Sequence, residues 1–134
     1  MVRIYTRHQE KEFTTLFFFE NSFLSSYFSF LKNQPSTLGL HSITDTESVR
    51  IHKNDLNDLY KKNRSIEYLG RIIIENRFLE ILSHNMDLLC LTAESRYTKM
   101  FKAYKHLILD ISVKHLASFL GVHPNSLSRI RAKM

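Results

Sequence analysis

The sequence predicts an α+β fold in which antiparallel β-structure comes first, one long helix follows, and a helix-turn-helix closes the chain. Three observations carry this prediction. Residues 2–51 hold short alternating or β-branched runs broken by turn residues. Residues 65–92 hold apolar positions at helical spacing without Gly or Pro breaks beyond Gly70. Residues 113–131 satisfy the spacing rules of two short helices crossing at a tight turn. The chain has 134 residues, 43% of them hydrophobic. That suits one domain, or two small parts sharing a core, and excludes a disordered chain. No stretch approaches the roughly 18 apolar residues of a membrane span.

The β-structure is read first. Val2, Ile4 and Thr6 alternate with Arg3, Tyr5 and Arg7, which predicts a half-buried strand. This polar alternation also lacks the apolar core of a signal peptide, so the cytoplasm is the simplest address. Phe13 to Phe19 is a second strand. Leu38, Leu40 and Ile43 predict a third, and Val49 with Ile51 a fourth, across a turn at Asp45, Thr46 and Glu47. Between them, Ser22 to Pro35 holds a helical turn around Phe23 to Leu31 that Pro35 ends.

At Asn54 the texture changes. Asn54 or Asp55 is expected to cap a short helix through Tyr60. The long helix then runs from Ser65 to Thr92. Ile74, Phe78, Ile81, Asn85 and Leu88 make one apolar stripe; Ile72, Leu79, Leu82, Met86 and Leu89 make another. Ile81 and Leu79 lie about 200° apart, so the stripes face opposite ways. A helix apolar on two faces needs cover on two sides, and a second copy of the same helix is the economical second cover. Asn85 is placed to fix register in that seam. Thr92 to Glu94 predicts the cap of the next helix, with Tyr97, Met100, Phe101 and Tyr104 as its apolar positions. Cys90, the only cysteine, excludes an internal disulfide and is expected as a small buried hydrophobe.

Charge is distributed unevenly. Residues 1–95 carry 11 Lys and Arg against 12 Asp and Glu, whereas residues 96–134 carry eight against Asp110 alone. A polyanionic partner for the last segment is implied, with a merely solvated basic face as the alternative.

The last segment is the most informative. With Val113 opening the unit, Leu116 and Leu120 fall on the inner face of its first helix. Ala117 sits at the helix crossing, where only a small side chain lets the backbones approach. Gly121 takes the left-handed turn, Val122 plugs it, and Pro124 opens the second helix at its first position. Leu127 and Ile130 are the inner face of that helix. The outer face carries Asn125, Ser126, Ser128, Arg129 and Lys133, types that reach base edges and phosphates, without a carboxylate. His123, at the N-cap, is placed to touch a phosphate. Arg131 belongs to the DNA-contacting set as a phosphate contact, or has an intramolecular role, because it lies about 200° round from Arg129. A generic helical hairpin would require neither the small Ala117 nor a carboxylate-free second helix.

This ending, with Ala117-Ser118-Phe119-Leu120-Gly121 followed by Pro124 and Leu127-Ser128-Arg129-Ile130-Arg131, resembles the DNA-binding end of Crp/Fnr-type transcription regulators, in particular a Bacteroidetes-type branch. Phe18 to Ser26, Lys32 to Ser36 and Asp55 to Leu69 resemble the same branch's β-roll and its helical exit. Leu91 to Tyr97 resembles its hinge. The resemblance implies a partial cyclic-nucleotide-binding-like jelly roll over residues 1–64, a long dimerisation helix over 65–92, and a helix-turn-helix DNA-binding domain over 93–134. It implies double-stranded DNA and a second copy of the chain as partners, and a role in transcription regulation.

The departures from that family matter as much. The chain begins on a strand that resembles one normally preceded by several others, so the front of the sensor is missing and its strand edges are exposed. No β-hairpin wing follows the second helix. Members that bind cyclic nucleotides hold the phosphate with an Arg-Ser pair, and here no Arg lies between Glu20 and Arg50. Cyclic AMP is therefore not expected as effector, and the effector is unknown. None of the seven His has the spacing of a helical zinc site, and His8, His41, His52, His84, His106 and His115 read as surface or packing residues. No phosphate loop, nucleophile elbow or paired acidic motif is present, so no enzyme and no cofactor is expected. The alternative to a DNA-binding regulator is a truncated regulatory or protein-interaction remnant that no longer binds DNA.

Overall fold

The computed structural model describes residues 1–133, a mixed α/β arrangement of a three-stranded antiparallel sheet and six helices. Strands β1 (Val2–His8), β2 (Lys11–Phe18) and β3 (Gly39–Ser42) are ordered β2-β1-β3. Helices α1 (Tyr27–Lys32), α2 (Lys53–Lys62), α3 (Arg64–Cys90), α4 (Ala93–Ile108), α5 (Val113–Phe119) and α6 (Pro124–Ala132) follow.

The predicted alternation of the first strand is realised in β1, and its pairing partner is β2 in a hairpin. The two connecting residues, Gln9 and Glu10, both have positive φ, 46° and 62°. A two-residue turn joining right-twisted strands demands that conformation, which Asn-Gly meets without strain and Gln-Glu does not. No turn signal was therefore visible in the sequence. A bulge between Ile4 and Tyr5 changes the register, and Thr15 Oγ1 donates to the Ile4 carbonyl there at 3.2 Å. On β3, Gly39 lies opposite Tyr5, whose ring occupies the space a Cβ would need.

The expected strand at Val49 and Ile51 does not form. β3 pairs only with β1, and residues 43–52 have no strand neighbour, so Val49 is fully exposed. Two apolar residues with Arg50 between them, preceded by Glu47 and Ser48, offer little to hold a further strand to the edge. The expected cap of α2 is also corrected. His52, not Asn54 or Asp55, accepts the Asn54 N–H through Nδ1 at 3.3 Å. Asn63 Oδ1 caps α3, accepting the Ser65 N–H at 2.9 Å, and Thr92 caps α4 as its sequence predicts. α4 leaves helical geometry at Tyr104, where that ring stacks on Phe19 with centroids 4.8 Å apart.

One core runs from the sheet into the C-terminal helices. Phe17 of β2 clusters with Tyr97, Ile108, Ile111, Leu116, Ala117, Leu120 and Leu127. Adjacent Phe18 points to the other face of the sheet, where the Arg77 guanidinium of α3 lies 4.6 Å from its ring centroid. The outer edge of β2, expected to be open, is covered at one point by α5: the Thr14 N–H donates to Ser118 Oγ at 2.9 Å.

The long helix is held thinly. No residue of α3 is buried. The half-buried line of α3 that faces the body includes Ile66, Ile73, Arg77 and His84; it runs beside the first apolar stripe and shares with it only Leu88, whose side chain lies next to Gly121. His84 stacks on Phe119 with centroids 4.2 Å apart, and Asp87 receives Lys99 Nζ at 2.6 Å. Near the start of α3, the Tyr60 hydroxyl of α2 fills the space beside Gly70. The stripe of Leu79, Leu82, Met86 and Leu89 lies opposite Arg77 and is exposed, Leu89 at 82%. Cys90 is exposed as well, which corrects the expectation of a buried thiol. It sits at the end of a helix that the rest of the chain does not surround.

Candidate nucleic-acid interface

Ser112 opens α5, its hydroxyl accepting the His115 N–H at 3.2 Å. Four and five residues on, Leu116 and Ala117 are 0% exposed, and Leu127 of α6 meets them at 0%. A larger residue at Ala117 would push the two helices apart. The turn between them has Gly121 at φ +67°, the left-handed value its position in the sequence demands. The Val122 N–H reaches back to the Ala117 carbonyl at 2.9 Å and the Gly121 N–H to the Ser118 carbonyl at 3.2 Å. This pair of bonds satisfies carbonyls that the helix end would otherwise orphan. Val122 and Ile130 are half-buried at the margin of the core.

α6 begins with Pro124 at its first turn and His123 as N-cap. The His123 Nδ1 accepts the Asn125 N–H at 3.2 Å. With Nδ1 occupied, the proton of the neutral ring is on Nε2, which faces outward as a donor. The N-cap position expected for His123 is thus the observed one, and its ring nitrogen supplies the acceptor that Ser, Thr, Asp or Asn more often provides.

The outer face of α6 is free. Asn125, Ser126, Arg129 and Lys133 are exposed, and their side chains have no intramolecular hydrogen bond or ion pair among the described residues. Asn125 and Arg129, four apart, lie on the side of α6 opposite buried Leu127. Ser128 is exposed but its hydroxyl donates to the Pro124 carbonyl at 3.2 Å, leaving it as an acceptor.

Arg131 is not on that face. It is four residues from Leu127 and therefore on the inner side. Its guanidinium lies 5.8 Å from the Tyr97 ring centroid and Nη2 donates to the Ile108 carbonyl at 3.4 Å. Its place in the DNA-contacting set is thereby corrected in favour of the intramolecular role. The buried Nε of Arg131 has no partner among the described residues.

The basic excess divides in the same way. Arg96 is tied to the Leu120 and Leu91 carbonyls at 3.0 and 2.6 Å, and Lys99 to Asp87. Lys102, Lys105, Lys114, Arg129 and Lys133 remain exposed. Among the described residues from 96 on, five exposed cations thus have no acidic partner, and Asp110 is the one acidic side chain.

In the first half of the chain, Ser36, Arg50, His52 and Lys53 line an open groove of about 620 Å³ with Asn33 and Phe30. The fold thus places Arg50 and Ser36, 14 residues apart in the chain, on the lining of the same groove. The groove also holds Asp55, and Lys53 Nζ is already engaged by the Leu31 carbonyl at 3.0 Å. Among the described residues no group of three or more His, Cys, Asp or Glu is placed to hold a metal ion. Among the described residues, no helix is long and apolar enough to cross a membrane.

No family model, curated protein or solved structure matches this chain.

Proposed function

We propose that the chain is a DNA-binding transcription regulator of the Crp/Fnr type, acting as a sequence-specific homodimer with a degenerate sensor. The observation that carries this is the α5–α6 hairpin. Its inner face is fully closed around Ala117, Leu116 and Leu127, and the opposite face of α6 presents Asn125, Ser126 and Arg129 with no carboxylate. A helix with that face suits the major groove, with Arg129 donating two bonds to guanine O6 and N7. The His123 Nε2 and Lys114 are suited to flanking phosphates. Arg131, on the inner side, serves the protein's own packing.

The test is a binding-site selection from random duplexes, followed by affinity measurements over a range of salt. Wild type is expected to select a two-fold symmetric site, with affinity falling linearly on a log–log salt plot. Arg129→Ala is expected to cost about 1–3 kcal/mol and to relax preference at one base pair of each half-site. An unchanged base preference with uniformly lower affinity assigns Arg129 to a phosphate instead. Cyclic AMP is expected not to bind tighter than about 1 μM by calorimetry, since the groove beside Ser36 is open and already holds Asp55.

The second reading, an interaction remnant that no longer binds DNA, is favoured by the amount of apolar surface left uncovered. Phe23, Phe28, Phe78 and Leu89 are each more than 60% exposed. Salt-insensitive, sequence-blind behaviour in the selection supports that reading over the first.

A further inference from the structure

The face of the sheet that meets α5 gathers titratable groups from four elements. Arg3 of β1 is only 3% exposed. Its Nε donates to His41 Nδ1 of β3 at 3.2 Å, its Nη1 to Thr14 Oγ1 at 3.3 Å, and its Nη2 to the Glu12 carboxylate of β2. His115 of α5 lies edge-on to His41, with centroids 5.6 Å apart. Arg7 shares Glu12 at 3.1 Å, and the Tyr5 ring lies under both guanidiniums. Lys114 adjoins His115 on α5. One carboxylate, Glu12, therefore serves two guanidiniums, with two imidazoles beside Arg3 and an exposed ammonium next to His115.

The bonds that dock α5 on β2 are formed one turn from His115. Ser118 Oγ accepts the Thr14 N–H at 2.9 Å and donates to the Glu12 carbonyl at 3.4 Å, and Phe119 packs edge-on to Phe17. Arg3 can only donate, so His41 must present an unprotonated Nδ1 to it. A proton there removes the acceptor and sets a cation against a buried guanidinium. A proton on His115 adds a further cation from the helix side. Glu12 cannot offset these charges because both guanidiniums already engage it.

We propose that His41 and His115 form an acid-sensitive contact between the sheet and α5, which releases the α5–α6 hairpin from β2 when the imidazoles are protonated. The inference stands on the packing of α5 and is independent of what α6 binds. The sign follows from His115, which burial first, then Arg3 and His41, hold below the ordinary His range. A His lowered in the docked state favours docking above its ordinary value, and this is lost as pH falls below it. His84, stacked on Phe119 from α3 near Asp87, Arg96 and Lys99, is also lowered, mainly by burial. It must be separated from the pair.

Amide exchange of the full chain, followed by NMR between about pH 7.5 and pH 5 and corrected for intrinsic rates, provides the test. The Thr14 amide is expected to lose protection severalfold on acidification, relative to amides inside the β1–β2 ladder. In the double variant His41→Gln and His115→Gln that loss is expected to disappear. Gln keeps an acceptor for Arg3 but does not titrate. A wild-type Thr14 amide whose protection is flat with pH overturns the proposal. So does a full wild-type response in the double variant, or in both single variants where the double fails to fold by circular dichroism. Loss of the response in His84→Phe alone moves the effect to His84 and also overturns it.

Discussion

Leu127→Ala is expected to destabilise the chain by about 2–5 kcal/mol, a large share of the 5–15 kcal/mol that holds a typical domain together. Leu127 is 0% exposed and lies in the cluster that joins Leu116, Ala117, Tyr97 and Ile108. Truncation leaves a cavity where α6 meets α5 and α4. Neither helix can collapse into it while the Gly121 turn and the Arg131 contact to Ile108 fix their approach. Urea unfolding at constant m-value measures the loss. Ile130→Ala, on the same inner face but half-buried, is expected to cost less. Equal, small effects at both positions contradict the packing of α6 described above. DNA binding by Leu127→Ala is expected to fail together with folding, in contrast to Arg129→Ala, which is expected to leave the unfolding curve unchanged.

Leu82→Lys with Met86→Lys is expected to abolish the proposed dimer, leaving a monomer at tens of micromolar protein. Both side chains are about half exposed, 46% and 52%, on the side of α3 opposite Arg77 and His84. A single copy has nothing to place there. Around a two-fold axis each of these residues lies near its own copy, so the lysines bring like charges together as well as removing apolar area. Two Leu or Met side chains per copy, at roughly 1.5–3 kcal/mol each when fully buried, are enough to shift a micromolar equilibrium by several powers of ten. Sedimentation equilibrium, with circular dichroism to check that α3 persists, reads the result. A wild-type monomer that is folded at the same concentration refutes the dimer directly. Asn85 lies roughly 80° from Arg77 on the helix, nearer the body than the exposed stripe. Asn85→Leu thus tests whether the seam extends that far round.

Much of the C-terminal third was legible because its constraints are local. Ala117, Gly121, Val122 and Pro124 are specified by their neighbours in a few residues of chain. A positive φ at Gly121 and a buried Ala117 follow from spacing alone. The same arithmetic puts Arg131 on the inner face, four residues from Leu127, once that residue is known to be buried. The caps at Thr92 and the end of α1 before Pro35 are equally local. The hairpin turn at Gln9 and Glu10 was not legible, because the conformation is imposed by strand pairing on residues that do not prefer it. His52 as the cap of α2 was missed because His is an uncommon capping residue, whereas His123 stands at the N-cap its position before Pro124 implies.

Legible in the residues alone were the order of elements apart from the strand at Val49 and Ile51, the length of the long helix to within a residue or two, the basic character of the C-terminal segment, and the inner and outer faces of its last helix. These depend on periodicity and on short-range steric rules, which each residue carries with it. Only the tertiary structure decided which line of α3 meets the body, that β2 and the C-terminal helices share a core through Phe17, and that Arg3, Glu12, His41 and His115 converge. It also decided that Val49 and Ile51 stay outside the sheet and that Arg50 and Ser36 line one groove. Such outcomes depend on which distant surfaces meet, and periodicity marks a face as apolar without naming what covers it. For α3 that distinction is sharpest: its apolar stripes were plain in the sequence, yet the face that packs is built on Arg77 and His84.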